Sequence, residues 1–323
     1  MSVDRRTFLA TAAAASTSLL ASPLLADHHK DGEHKHGDRK GKEGGESSGD
    51  KLFKISLAQW SLHRTIRAGD LDPLDFPAFA RTEFDIGAVE YVNQFFKDKA
   101  RDMAYLGDMK KRGADHGVEH VLIMVDGEGQ LGAEKNADRR KAVDNHVKWL
   151  EAAKFLGCHS IRVNAASSGS WDQQRDLAAD GLRQLCEKAE PFGLSVLVEN
   201  HGGLSSNGEW LSSVMKYVDH PSCGTLPDFG NFYIKRGDDP VKYDNYRGTD
   251  ELMDFAKAVS AKTYGFDDNG NESQLDYQRL LKIVLDHGYH SWVGIEWEGS
   301  DPGEIEGVKM TKALLERVRS ELG

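Results

Sequence analysis

Three acids and one base stand at equivalent points in the second half of the chain: Glu199, Asp228 and Glu296, with Lys262 between the last two. Each closes a short, mostly apolar run: Leu194 to Val198 before Glu199, Gly224 to Pro227 before Asp228, Ala258 to Ala261 before Lys262, and Trp292 to Ile295 before Glu296. Short runs without regular polar alternation are typical of strands covered on both faces, and polar groups are tolerated where such strands emerge. Carboxylates converging at strand exits can remove and return protons, and their oxygens suit hard cations. A nearby ammonium would add fixed positive charge.

The elements that must bring these residues together follow from a wider repeat. An apolar run, a polar terminus, a loop and a helical stretch succeed one another eight times, with termini at Gln59, Glu90, Asp126, Asn164, Glu199, Asp228, Lys262 and Glu296, spaced 29 to 38 residues apart. A period of roughly 30 residues is one strand plus one crossover helix, and eight such units close a (β/α)8 barrel with all strand ends on one rim. The reading is therefore a single α/β TIM-barrel domain over residues 51–323. Helices are expected to begin near Asp72-Pro73, an N-cap followed by Pro at the first helical position, and to span 97–115, 134–156, 171–190, 209–218, 249–255, 276–287 and 303–322. Pro227 cannot donate to a ladder, so the sixth strand is expected to stop there.

Two segments precede this domain. Asp4-Arg5-Arg6-Thr7-Phe8-Leu9 before an Ala-rich apolar stretch reads as a twin-arginine signal over residues 1–26, implying export to the periplasm and no stable membrane span after cleavage. Residues 27–50 are almost devoid of apolar side chains and read as a disordered tether, to whose His28, His29, His34 and His36 no chemistry is assigned. A net charge of −11 argues against nucleic acid as a partner. The three cysteines, Cys158, Cys186 and Cys223, have neither metal-type spacing nor the even number of a disulfide framework. Oligomeric state has no signature in the sequence.

Val198-Glu199-Asn200-His201, Leu226-Pro227-Asp228-Phe229-Gly230-Asn231 and Gly294-Ile295-Glu296-Trp297-Glu298-Gly299 resemble the xylose-isomerase-like (β/α)8 family, also described as sugar phosphate isomerases/epimerases, over Lys51 to Gly323. In ketose-epimerase relatives a Glu, an Asp, a His and a second Glu from the last four strands hold a divalent metal, and the two Glu residues exchange protons with the sugar. The resemblance thus implies Glu199, Asp228 and Glu296 as ligands for Mn2+, Mg2+, Co2+ or Zn2+, and Glu199 and Glu296 as the proton-handling pair. The chain departs from the pattern at Lys262, where the family usually has the metal-binding His, and at Asn231, where many relatives have another. A protonated Lys262 cannot be a ligand, but it can stabilise a developing oxyanion.

The expected partner is a small sugar or glycoside. Glu90, Asn164, His201, Asn231 and Trp297 are its expected contacts, Arg162 and Glu298 secondary ones, and the aromatics near the strand ends (Trp60, Tyr91, Phe95, Phe96, Phe229, Phe232, Tyr233, Tyr264, Phe266, Trp297) a stacking surface. The expected activity is sugar isomerisation or epimerisation through an enediolate. Elimination from a 3-keto-glycoside, which begins with the same proton removal, is the near alternative. A carbohydrate-binding barrel without catalysis is the alternative of another class. No P-loop is present to cradle a phosphate. The acidic charge and the missing histidines set aside the endonuclease branch of the family.

Overall fold

The apolar runs are strands, and parallel pairing sets their order. The computed structural model describes residues 52–323, so the expected export signal and tether lie outside the described residues. Elements follow as β1 (Lys54–Ala58), α1 (His63–Ala68), α2 (Phe76–Phe84), β2 (Ala88–Val92), α3 (Met103–Asp115), β3 (Glu119–Met124), α4 (Asn136–Leu156), β4 (Ser160–Val163), α5 (Trp171–Ala189) and β5 (Ser195–Glu199). Then come α6 (Gly208–Val218), β6 (Cys223–Leu226), β7 (Tyr233–Lys235), β8 (Val241–Lys242), α7 (Asn245–Met253), β9 (Val259–Thr263), α8 (Tyr277–Asp286), β10 (Trp292–Trp297) and α9 (Glu304–Leu322). Eight strands form one parallel sheet in the order β6-β5-β4-β3-β2-β1-β10-β9, and β7 and β8 make a separate antiparallel pair. The sheet curls into the expected TIM barrel, with helices outside.

Closure between β6 and β9 is made by isolated bridges, Thr225 with Ala256 and Asp228 with Ser260. Pro227 offers no N–H, yet its carbonyl accepts from Ser260 N at 2.9 Å, and Phe229 N donates to Ser260 O at 3.1 Å. The sixth strand stops where expected, and the chain still seals the barrel beyond it. Helix starts follow local chemistry: Asp72 caps Leu74 N at 2.9 Å, and Asp102 caps Tyr105 N at 3.1 Å, which delays the second predicted helix from 97 to Met103. The short α1 and the β7–β8 hairpin have no counterpart in the periodic reading. Among the described residues no helix is long and apolar enough to cross a membrane.

The main core lies between sheet and helices, and a smaller apolar cluster including Ala58, Ala88, Leu122, Leu197, Leu226 and Ala258 fills the barrel. Alternation along β10 decides the fate of Trp297. Glu296 points inward, so Trp297 points outward; it is fully buried, stacked on Phe266 at 5.6 Å, and is not a substrate contact at the rim. Tyr91, Phe96, Phe229 and Phe232 are likewise core residues, which removes half of the expected stacking surface. A Cβ at Gly307 would lie 2.2 Å from the Trp297 ring. Gly to Ala inside a helix ordinarily stabilises by about 1 kcal/mol. In Gly307→Ala the overlap reverses the sign, and a loss of about 1–3 kcal/mol is expected in chemical denaturation, as for other overpacked cores.

Candidate active site

Strand register places the chemistry. Glu199 is the last residue of β5, while Lys262 and Glu296 are register partners one residue before the ends of β9 and β10. The side-chain period of two puts Ser260 on the same face as Lys262. Glu298 joins Glu296 on that face because its N–H continues the ladder to Thr263 O at 3.0 Å. Asp228 enters through its bridge to Ser260.

Lys262 is 1% exposed, with Nζ 3.0 Å from Glu296 Oε1 and 3.4 Å from both Asp228 Oδ2 and Glu298 Oε2. Ser260 Oγ lies 2.9 Å from Asp228 Oδ2 and 3.2 Å from Glu296 Oε2. One hydroxyl proton cannot serve both, so a protonated Glu296 donating to Ser260, which in turn donates to Asp228, satisfies all three groups. The other Asp228 oxygen accepts from Gly230 N and Asn231 N, both at 2.8 Å. Gly230 is required here, since a Cβ would sit 3.1 Å from Lys262 Cδ and 2.8 Å from Tyr264 Oη.

Across the rim, Arg162 of β4 holds Glu199 through both Nε and Nη2 and binds Asp126 Oδ1 through Nη1 at 2.9 Å. Asn231 donates to the other Glu199 oxygen at 2.8 Å, and Asn164 donates to Asp126 at 2.7 Å. Asn93 clamps the Asp126 backbone with bonds of 2.9 and 3.0 Å. His201 is exposed at the mouth and lines a cavity of about 80 Å³ with Trp60, Asp126, Arg162, Glu296 and Glu298. Trp60 Nε1 donates to Glu298 Oε1 at 2.7 Å.

These surroundings drive the acids apart. Burial would raise Glu199, but Arg162, His201, Lys262 and the Asn231 hydrogen bond together outweigh it and hold the carboxyl below its ordinary value. Burial pushes Glu296 up to about 8 despite Lys262, with Glu199 and Asp228 adding to the rise. Burial likewise takes Asp228 up to about 6 against the pull of Lys262. Burial disfavours the Lys262 charge, yet Asp228, Glu296 and Glu298 keep its affinity for a proton well above that of an ordinary lysine. Near neutrality Glu199 is thus ionised while Glu296 on the same rim is largely protonated.

The structure brings together Glu199, Asp228, Lys262, Glu296 and Asn231, and sets Asn164 and His201 close by. Glu90 is not at a strand end. It lies in the middle of β2, inside the barrel, where Ser56 Oγ donates to it at 2.6 Å and Gly294 leaves the space it needs, a Cβ there being 2.6 Å from Glu90 Oε1. Ser260, Asn93 and the Trp60–Glu298 bond were not found from sequence. Ser260 could have been, two residues before Lys262 on an inward face; the other contacts span turns that carry no periodic signal.

Glu199, Asp228 and Glu296 each present an oxygen within 4.8 Å of the others, a cluster that could hold a metal ion. As folded, however, Lys262 already engages Asp228 and Glu296, and Arg162 engages Glu199. A dication would have to share those oxygens with two fixed cations, so the donor set does not fit one alongside a charged Lys262.

A family model described as xylose isomerase-like TIM barrel matches residues 78–320. A 3-keto-D-glucoside 4-epimerase from E. coli superposes with a TM-score of 0.64 at 15% identity, covering 82% of this chain and 99% of that one. A magnesium complex of a xylose isomerase-like TIM barrel protein from Mycobacterium smegmatis gives 0.61 at 15% identity, covering 84% and 98%. At such identities the likeness is one of fold. A C-glycoside deglycosidase alpha subunit from Arthrobacter globiformis is 38% identical over 69 residues, so the match spans only 20% of either chain.

Glu90 supplies a test of the interior electrostatics. Burial raises it to about 7 in the folded protein, one oxygen has no partner, and its ordinary value is 4.5. Between those pH values the folded state binds more protons than the unfolded chain, so the cost of this residue grows as pH rises and is complete above about 7. Glu90→Gln should match the wild type near pH 4.5 and gain stability towards pH 7, by up to about 3 kcal/mol, then level off in thermal melts. A constant offset across the range would contradict the assignment.

Proposed function

Because the chain belongs to the xylose isomerase-like TIM barrel family, we propose that it is a sugar isomerase or epimerase that moves a proton beside a carbonyl through an enediolate. The observation that carries this reading is the pairing on one rim of Glu199, held by Arg162, with Glu296, beside Lys262 and Ser260, an oxygen of each within 4.8 Å of the other. Two carboxyl groups of unlike proton affinity close together on one rim are what acid–base chemistry in both directions requires. In this reading Glu199 takes the C–H proton next to the carbonyl and Glu296 returns one from its own side. The Lys262 ammonium faces the oxygen on which negative charge develops. Asn231 and Arg162 keep Glu199 aimed, and Trp60, His201 and Asn164 border the sugar.

The short match to a deglycosidase subunit favours a second reading, elimination from a 3-keto-glycoside after the same proton removal. The Arg5-Arg6 stretch supports an exported enzyme as part of the proposal.

Glu199→Gln and Glu296→Gln should each lower turnover by about 10²–10⁴-fold with the fold intact. The check is incubation in D2O with ketoses, aldoses and 3-keto-glycosides, followed by mass spectrometry. Deuterium next to a carbonyl, absent in both variants, supports isomerisation; release of the aglycone supports elimination. A sugar that binds without exchange or cleavage would replace the enzyme with a binding module.

A further inference from the structure

We propose that Lys262 is the resident cation of this site, occupying the ground between Asp228 and Glu296 that a divalent ion would need, so that the protein works without a metal. Three observations carry the assignment. First, an ammonium has three N–H donors and no lone pair, and Nζ faces acceptor oxygens of Glu296, Asp228 and Glu298 at 3.0, 3.4 and 3.4 Å. A neutral amine would turn a lone pair towards a carboxylate in that nest.

Second, the ammonium is built in and does not sit there by chance. The residue is 1% exposed, its stem lies against Gly230, where a Cβ would come within 3.1 Å, and its backbone carbonyl accepts from Tyr277 Oη at 2.7 Å. A surface lysine swings to solvent; this one is enclosed, with 2% of its side chain exposed.

Third, the remaining oxygens of the three would-be ligands are spoken for. Asp228 Oδ1 receives two backbone N–H groups at 2.8 Å, Glu296 Oε2 contacts Ser260 at 3.2 Å, and Glu199 is gripped by Arg162 and by Asn231 at 2.8 Å. A metal would have to displace donors from all three acids and tolerate a fixed like charge beside it, whereas the ammonium satisfies the same oxygens at no further rearrangement. The fixed charge of Lys262, acting through space, would then supply part of the electrostatic stabilisation that a Lewis acid would otherwise give. Only that last step rests on the proposed function.

The test reads metal binding, so its outcome is separate from whether the reaction has been read correctly. Full-length protein purified without chelators is analysed for metals by mass spectrometry and titrated with Mn2+ by electron paramagnetic resonance, alongside Lys262→His and Lys262→Gln. The wild type should carry far less than one equivalent of any divalent metal and should not saturate with Mn2+ at millimolar concentration. Lys262→His, with its fold checked by circular dichroism, should bind Mn2+ on the order of a hundredfold more tightly, and Lys262→Gln less markedly so. Stoichiometric metal in the wild type overturns the proposal, and so does a folded Lys262→His and Lys262→Gln pair with no gain in Mn2+ affinity. Should neither variant fold, the wild-type titration decides alone.

Discussion

Excess negative charge inside a closed sheet is the constraint from which the rest follows. Glu90, Asp126, Glu199, Asp228, Glu296 and Glu298 line the barrel interior or its mouth, where ionisation is costly unless an opposite charge or strong donors stand close. Two strands carry the answer. Arg162 on β4 serves the acid that follows β3 and the acid that ends β5, and Lys262 on β9 serves the acid that follows β6 and the acid on β10. Each cation is thus flanked by acids from both neighbouring strands. What the cations cannot neutralise, protons do: Glu296 and Glu90 remain largely protonated towards neutral pH because burial outweighs the help they receive. The electrostatic asymmetry of the rim is a by-product of sharing two positive charges among too many acids.

That economy also explains why residues with the same chemistry play different parts. Glu199 and Glu296 are both glutamates at the ends of parallel strands, yet one has an oxygen held by two nitrogens of a guanidinium and the other shares an ammonium with two further acids. A planar guanidinium that also holds Asp126 locks its carboxylate in place, whereas an ammonium divided among three acceptors leaves each of them less fully served. In the proposed function the environment, not the residue type, writes the division into acid and base.

Much of this was legible in the chain before any fold was drawn. The eightfold recurrence of apolar run and polar terminus placed every barrel strand, and Glu199, Asp228, Lys262 and Glu296 came together as read. Their legibility has a cause: a parallel barrel buries its strands on both faces, so a charged residue within one stands out, and the topology puts all strand ends on one rim. Two kinds of information were missing. The phase of alternation at a strand end cannot be read from an apolar run, which is why Trp297, next to an inward Glu296, was assigned to the wrong face. Where polar and apolar residues interleave, the end itself is hidden: Tyr91 and Val92 extend β2 beyond Glu90 and lower that acid into the barrel. Short elements without period, such as α1 and the β7–β8 hairpin, left no trace at all.

The seam between β6 and β9 asks two things of the same residues. The stretch that closes the circle is Pro227, Asp228 and Ser260, and backbone bonds that seal the sheet and polar side chains of the site come from that one stretch. The clasp of the barrel and the assembly of the acids around Lys262 are therefore one event. A folding intermediate with β1 to β6 in place but β9 and β10 undocked would hold Glu199 with Arg162, and would lack Lys262, Glu296 and the bridge that seats Asp228. Such a half-closed chain lacks most of the groups to which the proposed proton transfer is assigned, so on that reading activity would report that the barrel has closed.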